Sequence, residues 1–342
     1  MPDHDIHAAF IGWAREQLGD ARETKLFDRM ASRSGITRRW SVLPPTTGGG
    51  SPVAAGGFYA DEHPGTAARM AIYAEAAPAL GLAAIEKLAG EAALGAISHI
   101  VVASCTGFVA PGIDQIIARR LGLAPSVERL LIGFMGCYAA VAALRTARHI
   151  VRSESQARVL VLCVELSTLH LQQAASIEPL LAMLQFGDGA AAALVTADPH
   201  GLAIGEPFAT TLPDSAELIR WDVTDRGFAM HLSGEVPARI AAGLADAGFA
   251  AAATGGRAPG EIDGWAVHAG GRSILDAVEH ALHLSPQALD ASRGVLRDNG
   301  NMSSATLMFV LERLMREPVR DGVALAFGPG LAAEGFGFAS AS

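Results

Sequence analysis

Residues 133–140 read Gly-Phe-Met-Gly-Cys-Tyr-Ala-Ala and lie between an apolar strand predicted for 129–132 and a helix predicted for 138–151. A cysteine in such a turn faces the N-terminal end of the helix, where backbone N–H groups and the helix dipole favour a thiolate. Cys137 is therefore a candidate nucleophile, although a free cysteine is more often a buried core residue. The strand–turn–helix pattern also favours an α/β fold.

Two later segments have the same character, a turn bounded by glycine beside an apolar run. Residues 265–271, Trp-Ala-Val-His-Ala-Gly-Gly, end a predicted strand at His268, and such strand ends face the crevice where α/β sheets bind ligands. Residues 298–306, Asp-Asn-Gly-Asn-Met-Ser-Ser-Ala-Thr, put Asn301 in a turn before a helix. A core histidine and a turn or capping asparagine are the structural alternatives. Acyl transfer through a thioester requires a thiol, an imidazole and an amide donor, so the three segments together predict a thiol-based acyltransferase.

Outward from these segments, predicted strands and helices alternate, which implies an α/β fold with parallel pairing. Apolar runs predict strands over 99–103, 129–132, 158–165, 190–196, 265–268 and 323–327. Periodic segments predict helices over 6–18, 23–33, 66–77, 78–94, 112–121, 138–151, 273–282 and 303–317. Pro78 either opens its helix or kinks a longer one, and 43–55 form a Pro/Gly loop. Because no linker-like composition separates them, an N-terminal half of 1–200 and a C-terminal half of 201–342 are expected in one packed body.

Composition narrows the function classes. Of 342 residues, half are hydrophobic and 18% are charged, and the net charge of −9 argues against a general nucleic-acid-binding role. Charges or glycines interrupt the apolar stretches before the ~18 residues that a membrane span needs, and no secretory signal is visible. The three cysteines, Cys105, Cys137 and Cys163, lack Cys-x-x-Cys spacing. These features predict a reduced, cytoplasmic protein without a metal site.

Four basic residues near the N-terminus form another candidate feature, namely Arg29, Arg33, Arg38 and Arg39. An ordinary charged helix face is one interpretation, and a docking patch for an anionic, phosphate-bearing substrate is the other. The Gly-Pro-Gly turn at 328–330 lacks the third glycine of the dinucleotide-binding pattern, so it does not predict a nucleotide fold.

Five segments considered together resemble the type III polyketide synthases, the chalcone synthase-like enzymes of the thiolase superfamily. The matching segments are Met-Gly-Cys137, Phe186-Gly-Asp-Gly-Ala-Ala-Ala, Trp-Ala-Val-His268-Ala-Gly-Gly, Gly-Asn301-Met-Ser-Ser-Ala and Phe327-Gly-Pro-Gly-Leu. They occur in the family's order over nearly the whole chain. The resemblance implies a duplicated five-layered αβαβα thiolase-like fold and a homodimer.

The resemblance also implies the chemistry. Cys137 would be the nucleophile that holds the starter and the growing chain as thioesters, and His268 would keep it ionised. His268 and Asn301 would bind the thioester carbonyl and the enolate formed when malonyl-CoA loses CO₂, where two preorganised donors stabilise the new negative charge. Acyl-CoA and malonyl-CoA would be the substrates, and no separate cofactor is implied.

Further positions match the family's cavity and CoA site. Phe186 matches a phenylalanine that gates the CoA tunnel. The other cavity-lining matches are Cys105, His170 and Ser303, and the CoA-binding matches are Arg29, Arg33, Gly270 and Gly271.

Three departures concern the starter and one sheet edge. Met230 stands where plant relatives carry a second gating phenylalanine, and Ala110 replaces a methionine that reaches the partner's cavity. Both changes suggest room beside the nucleophile, and hence a fatty acyl starter. Relatives also have an apolar strand before the helix that begins near Ile6, so one sheet edge is expected to differ.

The product is expected to be a pyrone or a resorcinol-type phenol. Three other functions remain open at this point. A β-ketoacyl-acyl-carrier-protein synthase III-like enzyme would perform one condensation, and a thioesterase or amidase would use the same three side chains for hydrolysis. The third is a non-catalytic acyl-CoA-binding relative.

Overall fold

The computed structural model describes residues 1–44, 51–60 and 63–341, so part of the predicted Pro/Gly loop lies outside the described residues. The strands are β1 His4–Asp5, β2 Trp40–Ser41, β3 His99–Ala103, β4 Glu128–Ile132, β5 Val159–Leu166, β6 Asp188–Val195, β7 Leu202–Thr211, β8 Ile219–Thr224, β9 Gly227–Leu232, β10 Gly264–Val267, β11 Gly322–Gly328 and β12 Ala332–Ser340. The helices are α1 His7–Gln17, α2 Ala21–Ser32, α3 Thr66–Glu91, α4 Ile113–Arg120, α5 Ala139–Ser153, α6 Ile177–Gln185, α7 Val236–Ala245, α8 Ala247–Thr254, α9 Arg272–Ala281, α10 Asp290–Asn299 and α11 Ser304–Leu314.

Two four-stranded sheets form the body. The first has the order β4-β3-β5-β6 and the second β10-β11-β12-β7, while β1-β2 and β8-β9 are small antiparallel pairs. The central pairs β3-β4, β3-β5 and β10-β11 are parallel. The prediction of purely parallel pairing is wrong for β6, β12 and β7, which run antiparallel to their neighbours. Between β11 and β12 the reason is the connection Pro329–Leu331, which is too short for a parallel crossover.

The helices complete five layers. α5 and α11 contact strands of both sheets and so form the central layer. α3 and α4 cover the outer face of the first sheet, and α8 and α10 pack on the second, with α7 and α9 beside them. The buried face of α5 is rich in alanine, which allows a close approach of helix and sheets. This arrangement confirms the five-layered αβαβα thiolase-like fold.

The 26-residue helix α3 contains Pro78. Of the two alternatives for this segment, a second helix that begins at Pro78 or one longer helix, the structure has the longer helix. By length and mean hydropathy, 1.2, α3 could cross a membrane, and a third of its most apolar window is buried. The sequence interpretation that apolar stretches are too short for a span misses this helix. In the fold, α3 packs against β5 and β6, and its buried residues include Tyr73, Ala77 and Ile85.

Candidate active site

Cys137 lies in a single turn of 3₁₀ helix, Gly136–Tyr138, that leads directly into α5. Gly136 has φ +69, and a Cβ there would lie 2.6 Å from Pro329 Cδ and 2.9 Å from Trp221 Cη2. Only glycine fits this position. The N–H of Gly136 donates to the Sγ of Cys105 at 3.0 Å, which anchors the turn from the end of the first sheet. The Cys137 side chain is consequently held at the floor of a cavity and is 9% exposed.

The backbone of Asn301 is anchored to one neighbouring segment, residues 185–187 at the end of α6. Its N–H donates to Gln185 O at 2.8 Å, and its carbonyl accepts the N–H of Gly187 at 2.9 Å. Its Oδ1 accepts the Ser303 N–H at 2.8 Å, which assigns the orientation of the amide. Nδ2 lies 3.9 Å from Cys137 Sγ, Oδ1 lies 4.0 Å from the same sulfur, and Nδ2 also donates to Gly270 O at 3.2 Å.

His268 follows β10 directly, and its backbone N–H donates to Leu325 O at 2.8 Å. The side chain is 1% exposed, yet neither ring nitrogen has a hydrogen-bond partner among the described residues. A Cβ on Gly270 would lie 3.5 Å from Nε2, so glycine keeps the space beside this nitrogen open. A buried polar group without a partner is rare and points to a ligand or a catalytic role.

Burial favours the uncharged forms of both groups. It raises the pKa of Cys137 to about 12, against the opposing effect of the hydrogen bond from Asn301. It lowers the pKa of His268 to about 3. The cavity is therefore lined by a neutral imidazole and an uncharged thiol, which are not hydrogen-bonded to each other.

One cavity unites most of the predicted site residues. Its empty volume is about 930 Å³, including its opening to solvent. The predicted residues that line it are Cys105, Cys137, His170, Phe186, Met230, His268, Gly270, Asn301 and Ser303. The four that do not are Ala110, Arg29, Arg33 and Gly271. Ala110, Arg29 and Arg33 are exposed, and Gly271 is the buried N-cap of α9.

The hairpin β8-β9 forms a wall that the sequence analysis missed. Trp221 on β8 pairs directly with Met230 on β9, and both line the cavity. The indole lies against Gly136, immediately before the nucleophile. Trp221 thus occupies space beside Cys137 that the Met230 substitution was expected to leave open. The Thr-Asp-Arg-Gly turn at 224–227, between alternating apolar residues, is the signal that could have found the hairpin.

His170 fixes the opposite wall. Its Nε2 lies 2.6 Å from Thr106 O, and its Nδ1 accepts the N–H of Phe228 at 3.0 Å, so Nε2 carries the proton. The ring stacks on Phe228 with centroids 4.2 Å apart. Burial lowers the pKa of His170 to about 4. The neutral imidazole therefore links the segment that carries Thr106 to the start of β9.

Glu165, another residue that the sequence analysis missed, is fully buried at the end of β5. Its carboxylate accepts hydrogen bonds from Cys105 N, Thr106 Oγ1 and Ser304 Oγ. Burial raises its pKa to about 7. Through these hydrogen bonds Glu165 connects two segments: the turn that contains Cys105, and the start of α11, which follows Asn301 in the chain. Its position inside an apolar strand run hid it from periodicity.

Arg39 does not belong to a surface patch, so both interpretations of it were wrong. Its side chain is 0% exposed, and it donates to His7 Nδ1, Met183 O and Phe186 O. The guanidinium lies over the ring of Phe10 at 4.5 Å. It ties α1 to the end of α6, because the last carbonyls of that helix lack partners within the helix.

One group of side chains has metal-ligand character. The side-chain ligand atoms of His99, Glu128 and Glu154 lie within 4.8 Å of one another. His99 begins β3, at the opposite end of that strand from Cys105, and both glutamates are exposed. This group is not part of the cavity, and the absence of a metal site stays a prediction.

Comparison with known proteins identifies the family of the chain. The family models described as "Chalcone and stilbene synthases", N-terminal and C-terminal domain, match residues 13–199 and 206–341. A Mycobacterium tuberculosis protein, "Alpha-pyrone synthesis polyketide synthase-like Pks18", is 35% identical over 254 residues, 71% of this chain. That match spans 65% of the relative, a little under two thirds of its length.

Two solved structures share the whole fold. PKS-I from the brown alga Ectocarpus siliculosus is 29% identical with a TM-score of 0.90, covering 99% of this chain and 95% of that one. The C-terminal type III polyketide synthase domain of Steely1 from Dictyostelium has a TM-score of 0.88 at 24% identity. That match covers 100% of this chain and 97% of the Steely1 chain, and at this identity it supports the fold alone.

Proposed function

The chain belongs to the chalcone and stilbene synthase family, the type III polyketide synthases, and on that premise we propose that it extends a fatty acyl-CoA starter with malonyl-CoA and cyclises the product to a pyrone or a resorcinol-type phenol. The observation that carries this proposal is the convergence of Cys137, His268 and Asn301 on one cavity, where the imidazole nitrogens of His268 have no hydrogen-bond partner within the described part of the chain.

Loading begins with proton transfer from Cys137 to His268. Burial opposes each charge alone, but the transfer creates two opposite charges inside one cavity, where their attraction is strong. The end of α5 beside Cys137 adds a positive potential. The thiolate attacks the starter carbonyl, and the oxygen takes up charge beside His268 and Asn301. The bond to the CoA sulfur then breaks, and the leaving thiolate takes the proton from His268.

Extension uses the same two donors for a second charge. When malonyl-CoA loses CO₂, the electron pair of the broken C–C bond moves onto the thioester oxygen as an enolate. His268 would donate the N–H of its neutral imidazole, and Asn301 Nδ2 would donate the N–H that does not bind Gly270 O. The enolate carbon attacks the carbonyl of the Cys137 thioester, the bond to Sγ breaks and the Cys137 thiolate leaves. The chain, longer by two carbons, is then a CoA thioester and transfers back to Cys137 by the loading step before the next extension or release. Phe186, on the cavity wall, would hold the malonyl group in place.

Release of a pyrone requires an enol oxygen of the extended chain to attack the Cys137 thioester, which frees the thiol. The relative Pks18 is named for alpha-pyrone synthesis, and this supports a pyrone here. The apolar walls of the cavity, among them Met183, Phe228 and Leu232, favour an aliphatic starter. Each buried CH₂ contributes about 0.8 kcal/mol. Arg29 and Arg33 would bind the CoA phosphates outside the cavity.

The working enzyme is proposed to be a homodimer in the cytoplasm. Support for a dimer comes from the exposed apolar side chains of Phe108, Leu130, Leu131 and Phe134. They lie along the edge strand β4 and the loops beside it, and Ala110 follows two residues after Phe108. The cytoplasmic location is supported by three unpaired, buried cysteines. The halves 1–200 and 201–342 each contribute one sheet, with Cys137 in the first half and His268 and Asn301 in the second.

The test is mass spectrometry of products from acetyl- to hexadecanoyl-CoA starters and aromatic starters, each with malonyl-CoA. Pyrones or resorcinols from the fatty starters, with two or more extensions, are expected. A product of one condensation would instead indicate a ketoacyl synthase. Free starter acid formed without malonyl-CoA would indicate a hydrolase.

A further inference from the structure

One face of α2 carries a row of exposed cations. Arg22, Lys25, Arg29 and Arg33 recur at spacings of three and four residues, which places them on one side of the helix and its C-terminal end. At 1.5 Å per residue the row is about 16 Å long. Two exposed apolar side chains adjoin it on the same face, Leu26 at 37% and Met30 at 44% exposure.

The charges of this row are not neutralised locally. Within the described residues, none of the four cations forms an ion pair, and the nearby Asp28 carboxylate is bound by Arg15 of α1 at 2.6 Å. The chain as a whole carries a net charge of −9. A local basic and apolar face on an acidic protein attracts an acidic partner that also offers apolar side chains.

This face adjoins the walls of the cavity. α2 packs against α6, which contributes Met183 to the lining. The Arg33 carbonyl accepts a hydrogen bond from Arg272 at the start of α9, and α9 contributes Ile274. A partner bound to α2 therefore sits beside two helices that form the cavity wall.

We infer that this face docks an acidic acyl carrier protein, which presents its acyl group on a phosphopantetheine thioester to Cys137. The inference rests on the proposed function and adds a second kind of acyl donor. Phosphates of one nucleotide would engage Arg29 and Arg33 at the end near Arg272. They would leave Arg22 and Lys25 unused at the other end, whereas an acidic helix of a carrier would cover the row together with Leu26 and Met30.

The chemistry is the same thioester exchange for both donors. Cys137 Sγ forms a bond to the acyl carbon, the bond from that carbon to the pantetheine sulfur breaks, and the carrier leaves as a free thiol with the proton from Cys137. No further reactant is required.

The test compares one acyl group, dodecanoyl, on CoA and on an acidic acyl carrier protein, using intact-protein mass spectrometry of Cys137 acylation and kcat/KM. Arg22→Glu with Lys25→Glu should lower kcat/KM for the acyl carrier about tenfold or more, because attraction becomes repulsion, and should leave acyl-CoA within about twofold. High salt should weaken the wild-type reaction with the carrier, because it screens exposed charges. Arg119→Glu with Arg120→Glu, two exposed cations on α4, is the matched control and should change neither donor.

Acylation from CoA but not from the carrier would overturn the inference while leaving the proposed function intact. If the control pair lowered kcat/KM for the acyl carrier as much as the α2 pair does, the inference would also be overturned, because the effect would then come from the net charge of the protein. The third measurement is binding of the protein to phosphatidylglycerol vesicles. If the α2 variant no longer binds vesicles but reacts with the acyl carrier as the wild type does, the face binds a membrane and the inference is overturned. Failure of both donors to acylate Cys137 would refute the proposed function itself. The α2 variant should fold, because both side chains are exposed and acidic residues suit the first turn of a helix.

Discussion

Replacing Asn301 by alanine tests whether its side-chain amide acts in catalysis or only stabilises the turn in which it lies. The change removes Nδ2, the donor that faces Cys137 Sγ at 3.9 Å, and removes the acceptor of the Ser303 N–H. Loss of one such donor costs about 10²–10³ in rate, or about 3–4 kcal/mol of transition-state stabilisation. The Ser303 N–H and the Gly270 carbonyl also lose partners, which costs roughly 1–3 kcal/mol of stability for each group.

Both effects can be measured apart. The melting temperature of each variant reports its stability. The rate of CO₂ release from malonyl-CoA without a starter, measured at a temperature where the variant is still folded, reports the enolate step. Asn299→Ala is the matched control, because Asn299 lies in the same turn and is also buried, but its side chain binds Trp40 Nε1 and Val295 O outside the cavity. We expect a lower melting temperature for both variants and a slow decarboxylation only for Asn301→Ala. Decarboxylation at the parental rate in Asn301→Ala, or an equal loss in Asn299→Ala, would refute the role of the amide.

Three further predictions concern substrate binding, cavity shape and pH. Alanine at Arg29 and Arg33 should raise KM for CoA substrates more than it lowers kcat, and should not affect a pantetheine thioester without the nucleotide; equal losses for both would indicate a folding defect. Trp221→Ala should move the product profile toward longer starters, read by kcat/KM across chain lengths, and an unchanged profile would show that the indole does not limit the cavity. The pKa of Glu165 is raised from 4.5 to about 7, so its neutral form stabilises the fold most below pH 4.5, and up to about 3 kcal/mol is lost as the pH rises to 7. Glu165→Gln should flatten that part of the stability profile in urea titrations, and an unaltered slope would mean that other groups cause it.

The three proposed catalytic residues could be named from the sequence because each stands near the start of a helix, within a motif that gains its meaning from the other two. Cys137, His268 and Asn301 lie within short motifs whose residue types follow from local geometry, such as the positive φ of Gly136. Their convergence depends on the central layer of α5 and α11, which the resemblance implied and which composition alone does not reveal.

Other parts of the structure follow from tertiary packing that a single sequence does not show. Arg39 stands four residues before the predicted loop, near Arg38 and Arg33, and its burial is made favourable by His7 and by the carbonyls at the end of α6. Trp221 alternates with the charged residues Arg220 and Asp222, as expected of a half-exposed strand, but the alternation does not show that its indole lies against Gly136 in the cavity wall. Pro78 is compatible with a helix interior because tertiary contacts on β5 and β6 offset the missing N–H. The antiparallel return of β12 follows from the three-residue connection Pro329–Leu331, whereas β6 returns antiparallel after a long connection that contains α6, which periodicity does not predict.

The most direct test of the central claim is the site of acylation. Incubation with a fatty acyl-CoA in the absence of malonyl-CoA, followed by peptide mass spectrometry, should find the acyl group on Cys137. It should be absent in Cys137→Ala and retained in Cys163→Ala, whose thiol lies in the core of β5. An adduct on Cys105, or turnover of acyl-CoA without any adduct in the wild type, would contradict the assignment of Cys137 as the nucleophile.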